Sequence, residues 1–155
     1  MNAAGLALQV HGTPAPQGSK TAIVRNGRAR LIEGGSTSGR HKHRAWRDAV
    51  TQAAKFAALE AGQTEPLTGP LLFVAEFRFE RPKSVPRATM WKATRPDLDK
   101  LLRSTLDSLT DAAVIEDDAR VVTIVASKVY VEPDEWTGAD MRVVRVSDTC
   151  VSDVE

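Results

Sequence analysis

Asp97 and Asp99 stand two residues apart in the run Arg95-Pro96-Asp97-Leu98-Asp99, and a second acidic pair, Asp117 and Asp118, follows after one helix length and a short turn. Carboxylates are hard oxygen donors. If these acids converge, they suit Mg²⁺ or Mn²⁺, with Asp97, Asp99 and Asp118 as ligands and Asp117 as an outer one. Gathered without a cation, they would repel one another and keep some members protonated, which packing alone gives no reason to build. The chemistry of such a centre is metal-assisted attack of water on a phosphate ester.

Two elements must position these acids. Leu98, Leu101, Leu102, Thr105, Leu106 and Leu109 recur at three- and four-residue steps, which predicts a helix with one apolar face, while Asp99, Arg103 and Asp107 fall at i, i+4 and i+8 on another. Arg95 precedes a proline and is pushed toward an extended conformation, so the helix should begin at or after Pro96 with Asp97 as its cap. Residues 121–131 are rich in β-branched side chains and read as a strand whose leading end returns Asp118 toward the first pair. Taken as structure alone, aspartates at a helix start and an i,i+4 ladder of opposite charges are ordinary. The second acidic pair turns the reading toward chemistry.

The run R-P-D-L-D-K-L-L-R-S-T-L-D-S-L-T, followed by an aliphatic pair, E-D-D-A-R-V-V and a strand, resembles the signature of the RusA family of Holliday junction resolvases. These are small Mg²⁺-dependent DNA endonucleases of bacteria and their phages. The resemblance covers about thirty contiguous residues. It implies that Asp97, Asp99 and Asp118 are the catalytic carboxylates, that the protein is a homodimer acting on four-way junctions in recombination and repair, and that the loop after the first strand lies near the DNA. Family members carry asparagine directly after D-L-D and a lysine three residues further on, where this chain has Lys100 and Arg103. Arginine does not release a proton at neutral pH, so Arg103 suits charge stabilisation and not acid–base exchange.

Along the rest of the chain, residues 6–10 read as a first strand, and residues 21–24 and 29–32 as a hairpin around Asn26-Gly27. The hairpin's Lys20, Arg25, Arg28 and Arg30 are candidates for phosphate contact. Residues 34–39 form a glycine-rich connector that lacks the lysine and hydroxyl of a phosphate loop, so no nucleotide cofactor is expected. A helix over 40–61 would bury Trp46, Ala49, Val50, Ala53, Ala57 and Leu59 on one side. His41, Lys42, His43, Arg44 and Arg47 crowd its start, where cations oppose the helix dipole and DNA phosphate would justify them. The two histidines diverge at i, i+2 and read as solvated or phosphate-facing, not as metal ligands. Residues 71–79 form the expected central strand. The basic loop that follows carries Lys83, Arg87, Lys92 and Arg95, and with Lys100 it is the expected substrate-binding segment. Trp91 reads equally as a stacking residue or a loop anchor. Residues 141–146 should return as a final strand in a hairpin with residues 121–131.

The expected fold is α/β (α+β), in the order βββαβαββ, with a mixed sheet of five to six strands and two main helices. One domain over residues 1–148 and a disordered tail over 149–155 are expected. At 155 residues and 42% hydrophobic, the chain can bury a core, and no apolar run suits a membrane span or signal peptide. A single cysteine, Cys150, allows neither an intrachain disulfide nor a cysteine-rich zinc site. Charge is segregated: residues 1–103 hold 17 Lys+Arg against 8 Asp+Glu, and residues 104–155 hold 4 against 12. A basic half fits DNA phosphate. The expected protein is a cytoplasmic, nucleoid-associated junction endonuclease with Mg²⁺ or Mn²⁺ as cofactor. The alternatives are a catalytically inactive DNA-binding protein of the same fold, or another D-x-D phosphotransfer enzyme.

Overall fold

Six strands and two helices follow in the expected order in a computed structural model that describes residues 5–18, 20–33 and 36–147. They are β1 (Gly5–His11), β2 (Lys20–Arg25), β3 (Arg28–Glu33), α1 (Thr37–Glu60), β4 (Leu71–Glu80), α2 (Leu98–Asp111), β5 (Val121–Val131) and β6 (Gly138–Arg145), with a 3-10 turn at Asp118–Arg120. Cys150 and the 149–155 tail lie outside the described residues.

The strands divide into a four-stranded sheet, ordered β1-β6-β4-β5, and a separate two-stranded hairpin of β2 and β3. β4 is interior, as its apolar run requires, and alternates buried and half-buried residues along its length. Its inward set, Leu71, Phe73, Ala75, Phe77 and Phe79, is in register with Leu6, Leu8 and Val10 of β1 through Val143, Met141 and Ala139 of β6. Period-two alternation puts all of these side chains on one face, and both helices cover it. Trp46 of α1 packs against Phe77 at 6.5 Å between ring centroids, and its indole N–H donates to Thr105 Oγ of α2 at 3.4 Å. α2 turns Leu101, Ser104, Thr105, Ser108 and Leu109 inward, with Leu98 and Leu102 half-buried at the margin. The small hydroxyl residues let the two helices approach closely, and the Ser108 hydroxyl donates to the Ser104 carbonyl at 2.8 Å.

Three expectations need correction. β6 pairs with β1 and β4 and not with β5, because β5 is joined to β4 in parallel through the α2 crossover and occupies β4's other side. Burial of Ala139, Met141 and Val143 requires that interior place. α1 begins at Thr37, three residues early, because Ser36 caps it by accepting from the Gly39 amide at 3.0 Å; Gly39 is therefore helical, not part of a connector. The inward stripe of α1 is His43, Trp46, Val50 and Ala54, whereas Leu59 is 77% exposed. The β2–β3 hairpin does turn at Asn26-Gly27, both at positive φ, as that dipeptide predicts.

Gly138 opens β6 at φ +141, where it opposes His11. A Cβ there would penetrate the Val10 carbonyl oxygen. Gly138→Ala should therefore destabilise the fold by about 3 kcal/mol, from forced backbone strain and displacement of β1. Urea unfolding followed by tryptophan fluorescence would measure this, and a loss below about 1 kcal/mol would contradict the packing of β1 on β6.

Candidate active site

The loop between β4 and α2 is fastened to β5. Tyr130 donates its amide to the Met90 carbonyl at 2.9 Å and Lys92 donates to the Lys128 carbonyl at 3.0 Å, so Trp91 bridges Val129 like a residue of an added strand. Trp91 is nonetheless 59% exposed, so its backbone anchors while its ring faces out. Arg81 closes the loop's base: its guanidinium donates to Glu132 at 3.2 Å and to the Pro86 and Thr89 carbonyls, and lies 5.6 Å over the Tyr130 ring. At the far end, the Lys128 ammonium donates to the Thr94 and Pro96 carbonyls at 2.7 Å each. These two bonds fix the chain on both sides of the cis Arg95–Pro96 bond, directly before Asp97.

Asp97 is the N-cap of α2 by backbone position, yet its side chain makes no capping bond. Its carboxylate instead faces Lys100 Nζ at 3.3 Å and is 52% exposed. A capping aspartate spends its oxygens on helix amides, and this one does not. Asp99 is exposed in the first turn. Arg103, one turn on, is exposed and forms no ion pair with Asp99 or Asp107 among the described residues, so the charge ladder expected from their spacing is not closed.

The second acidic pair lies at the other end of α2. Asp117 accepts from the Ala119 amide at 2.7 Å, and that bond, with a hydrogen bond from Asp118, holds its carboxyl below the ordinary range. Asp118 is pushed the opposite way by its hydrogen bond with Asp117, then by partial burial, and then by the negative charges of Asp117 and Asp107. Asp107 stands two turns beyond Asp99, about 12 Å along the helix axis. Among the described residues, no three histidine, cysteine or acidic side chains stand close enough together to hold a metal ion. The donors themselves are of the right kind for a hard divalent cation: the Asp97 carboxylate is unspent on capping, and Asp99 and Asp118 are exposed carboxylates.

The basic residues are spread over the hairpin, the loop before α2 and the start of α1. Lys20, Arg25, Arg28 and Arg30 are exposed on the hairpin, Lys83, Arg87 and Arg95 on the loop, and Lys92 and Lys100 are half-buried. Arg47 is committed to an ion pair with Asp111, which ties α1 to the end of α2. His43 is 6% exposed, against the solvated or phosphate-facing reading; it sits one turn before Trp46 on the inward stripe of α1. His41 and Arg44 stay exposed.

The family model for endodeoxyribonuclease RusA matches residues 14–135, from the loop after β1 to the turn after β5. The chain belongs to the RusA family. No curated relative matches it. As a RusA-family protein it is an endodeoxyribonuclease whose substrate is DNA, and the matched span contains every acid and loop residue described above. Among the described residues, no helix is long and apolar enough to cross a membrane.

Sequence reasoning missed three residues that shape this site. Lys128 sits within an apolar run, and a lone lysine in a strand is the one signal that could have marked it. Arg81 was hidden in a loop full of cations. Asp107 was visible only as a rung of the helix ladder. Lys128→Met should free the Thr94 and Pro96 carbonyls, lower stability by about 2 kcal/mol, the scale of hydrogen bonds to a charged group, and loosen the segment ahead of Asp97. Hydrogen exchange should then show faster exchange at the start of α2 than at its end; unchanged protection there would refute the anchoring role.

Proposed function

We propose that this RusA-family endonuclease resolves four-way DNA junctions by Mg²⁺-dependent phosphodiester hydrolysis, in recombination and repair, as a homodimer with one site per subunit. The observation that carries the reading is that Asp97 and Asp99 are spent on no helix cap and Arg103 on no ion pair among the described residues. Asp97 leaves its capping bond unmade, Asp99 is exposed, and Arg103 between the two acidic groups makes no ion pair with either. Asp97 and Asp99 at one end of α2 and Asp118, with Asp117 as an outer partner, at the other are the proposed ligands of Mg²⁺ or Mn²⁺. Holding one ion would require the two ends to draw together beyond their arrangement among the described residues. The cation supplies an activated water and charge neutralisation when bound.

The chain's own residues do the rest. Arg103 offers a permanently charged fork toward an equatorial phosphate oxygen, which steadies charge as it develops but moves no proton. Lys100 screens Asp97 until phosphate approaches, and its ammonium is close enough to share between the two. Lys83, Arg87, Lys92 and Arg95 lead into the acids and bind flanking phosphates. Support for a second copy comes from β5, an edge strand exposing Val122, Ile124 and Val125, by 62, 43 and 58%. A two-fold pair presents two identical sites to a junction that is itself symmetric.

A synthetic four-way junction incubated with the protein in Mg²⁺ should give paired nicks that EDTA abolishes, while Ca²⁺ supports binding without cutting. Asp97→Asn and Asp99→Asn should abolish cleavage and leave binding intact or tighter, because negative charge facing phosphate is removed. Binding with no cleavage in either Mg²⁺ or Mn²⁺ would assign the chain to the inactive DNA-binding class instead. Light scattering showing a monomer at micromolar concentration would overturn the dimer.

Arg103→Gln separates chemistry from scaffold. Since no ion pair is lost, stability should change by less than about 0.5 kcal/mol. Single-turnover cleavage should fall on the order of a hundredfold, with Lys restoring part of it. A near wild-type rate for the glutamine variant would rule Arg103 out of the chemistry.

A further inference from the structure

Beside Asp97 lies a cleft of about 450 Å³ whose apolar walls the proposed reaction does not use. Its walls are largely apolar. It is lined by Pro14 and Pro16 of the loop after β1, by Phe79 and Pro96, and by Lys42 of α1 and Lys92. We infer that this cleft receives one unstacked nucleotide of the DNA substrate, base against the proline and phenylalanine surfaces and flanking phosphate at the lysines. The inference rests on the DNA-junction reading above and names how that DNA is held.

Size and lining select the occupant. The volume falls within the roughly 300–1,000 Å³ of small-ligand sites, which admits a single nucleotide and excludes a base-paired duplex. Flat apolar walls reward the face of any base without reading its edge, so the contact tolerates sequence. Lys92 is held in place before any substrate arrives: its ammonium lies 5.2 Å from the Phe79 ring centroid and 5.3 Å from that of Tyr130, and donates to Thr94 Oγ at 3.0 Å. The start of α1 adds the positive end of a 24-residue helix at the same wall. Pro96 lines the cleft and is bonded to Asp97, so a nucleotide seated there has its backbone beside the candidate catalytic acids. Unstacking costs least where pairing is already interrupted, as at a junction crossover, so the cleft would favour branched over linear duplex DNA.

Gly39 provides a test that leaves folding intact. It is helical, lines the cleft, and a side chain added to it meets only Ser36 Oγ, at 3.4 Å. Four-way junctions carrying 2-aminopurine at successive positions around the crossover would be titrated with protein in Ca²⁺, with binding followed in parallel by gel shift. Wild type and Gly39→Ala should give a several-fold fluorescence rise at one position, and Gly39→Leu should lose that rise while shifting the junction equally well. A shift without a rise at any position, or a rise that Gly39→Leu retains, would overturn the cleft assignment and leave the junction reading standing. Absence of any shift would sink both.

Discussion

The Lys128 ammonium, shared between the Thr94 and Pro96 carbonyls at 2.7 Å each, is the contact on which the site's geometry depends. A helix start is set by where the incoming chain is held, and here the chain arrives from a long proline-containing loop with no regular structure of its own. Lys128 belongs to β5, whose parallel register with β4 is fixed across ten pairs by the core. The rigidity of the sheet is thereby passed to the first turn of α2. Asp97 and Asp99 inherit it, which is how groups on a loop-to-helix junction reach the precision that phosphoryl chemistry needs.

Electrostatics then distributes the work. The chain separates its charges in sequence; in the fold, acids stand at both ends of α2, and cations stand on the loop that leads into it and on the hairpin. Asp118 shows this most clearly: its hydrogen bond with Asp117, desolvation and then the charges of Asp117 and Asp107 all oppose its ionisation. Positive charge brought near would oppose that shift and favour the ionised form of Asp118. Arg103 stands within one helical turn of both Asp99 and Asp107 and is committed to neither.

Much of this was legible in the sequence, and the failures have physical reasons. The six strands, both helices and their order could be read because α2 and β4 carry strong periodicities and the hairpin has an Asn-Gly turn. The place of β6 could not be read, because pairing across the sheet is decided by which strand edge is left open after the α2 crossover. Residue periodicity does not encode that choice. His43 was misread because a histidine among cations at a helix start resembles a phosphate contact, whereas its position relative to Trp46 puts it on the buried stripe. At the site, the acids could be picked out by type and spacing, but the convergence expected of Asp118 on Asp97 and Asp99 is not seen among the described residues. What was not legible is that β5 brings Asp118 under the charge of Asp107, two turns past the first pair, since that depends on how far the turn after α2 runs before the strand begins.

β5 poses a last constraint, one on assembly. An edge strand exposing Val122, Ile124 and Val125 invites unwanted pairing unless something covers it, and soluble proteins normally blunt such edges with charge, proline or a bulge. The C-terminal half of β5 is blunted by the loop segment through Trp91, and a register shift between Leu71 and Leu72 marks the other end, but the stretch between keeps its apolar side chains in water. That stretch begins four residues after Asp118. A second copy seated there, as proposed above, would cover this apolar stretch and close the open edge of the sheet.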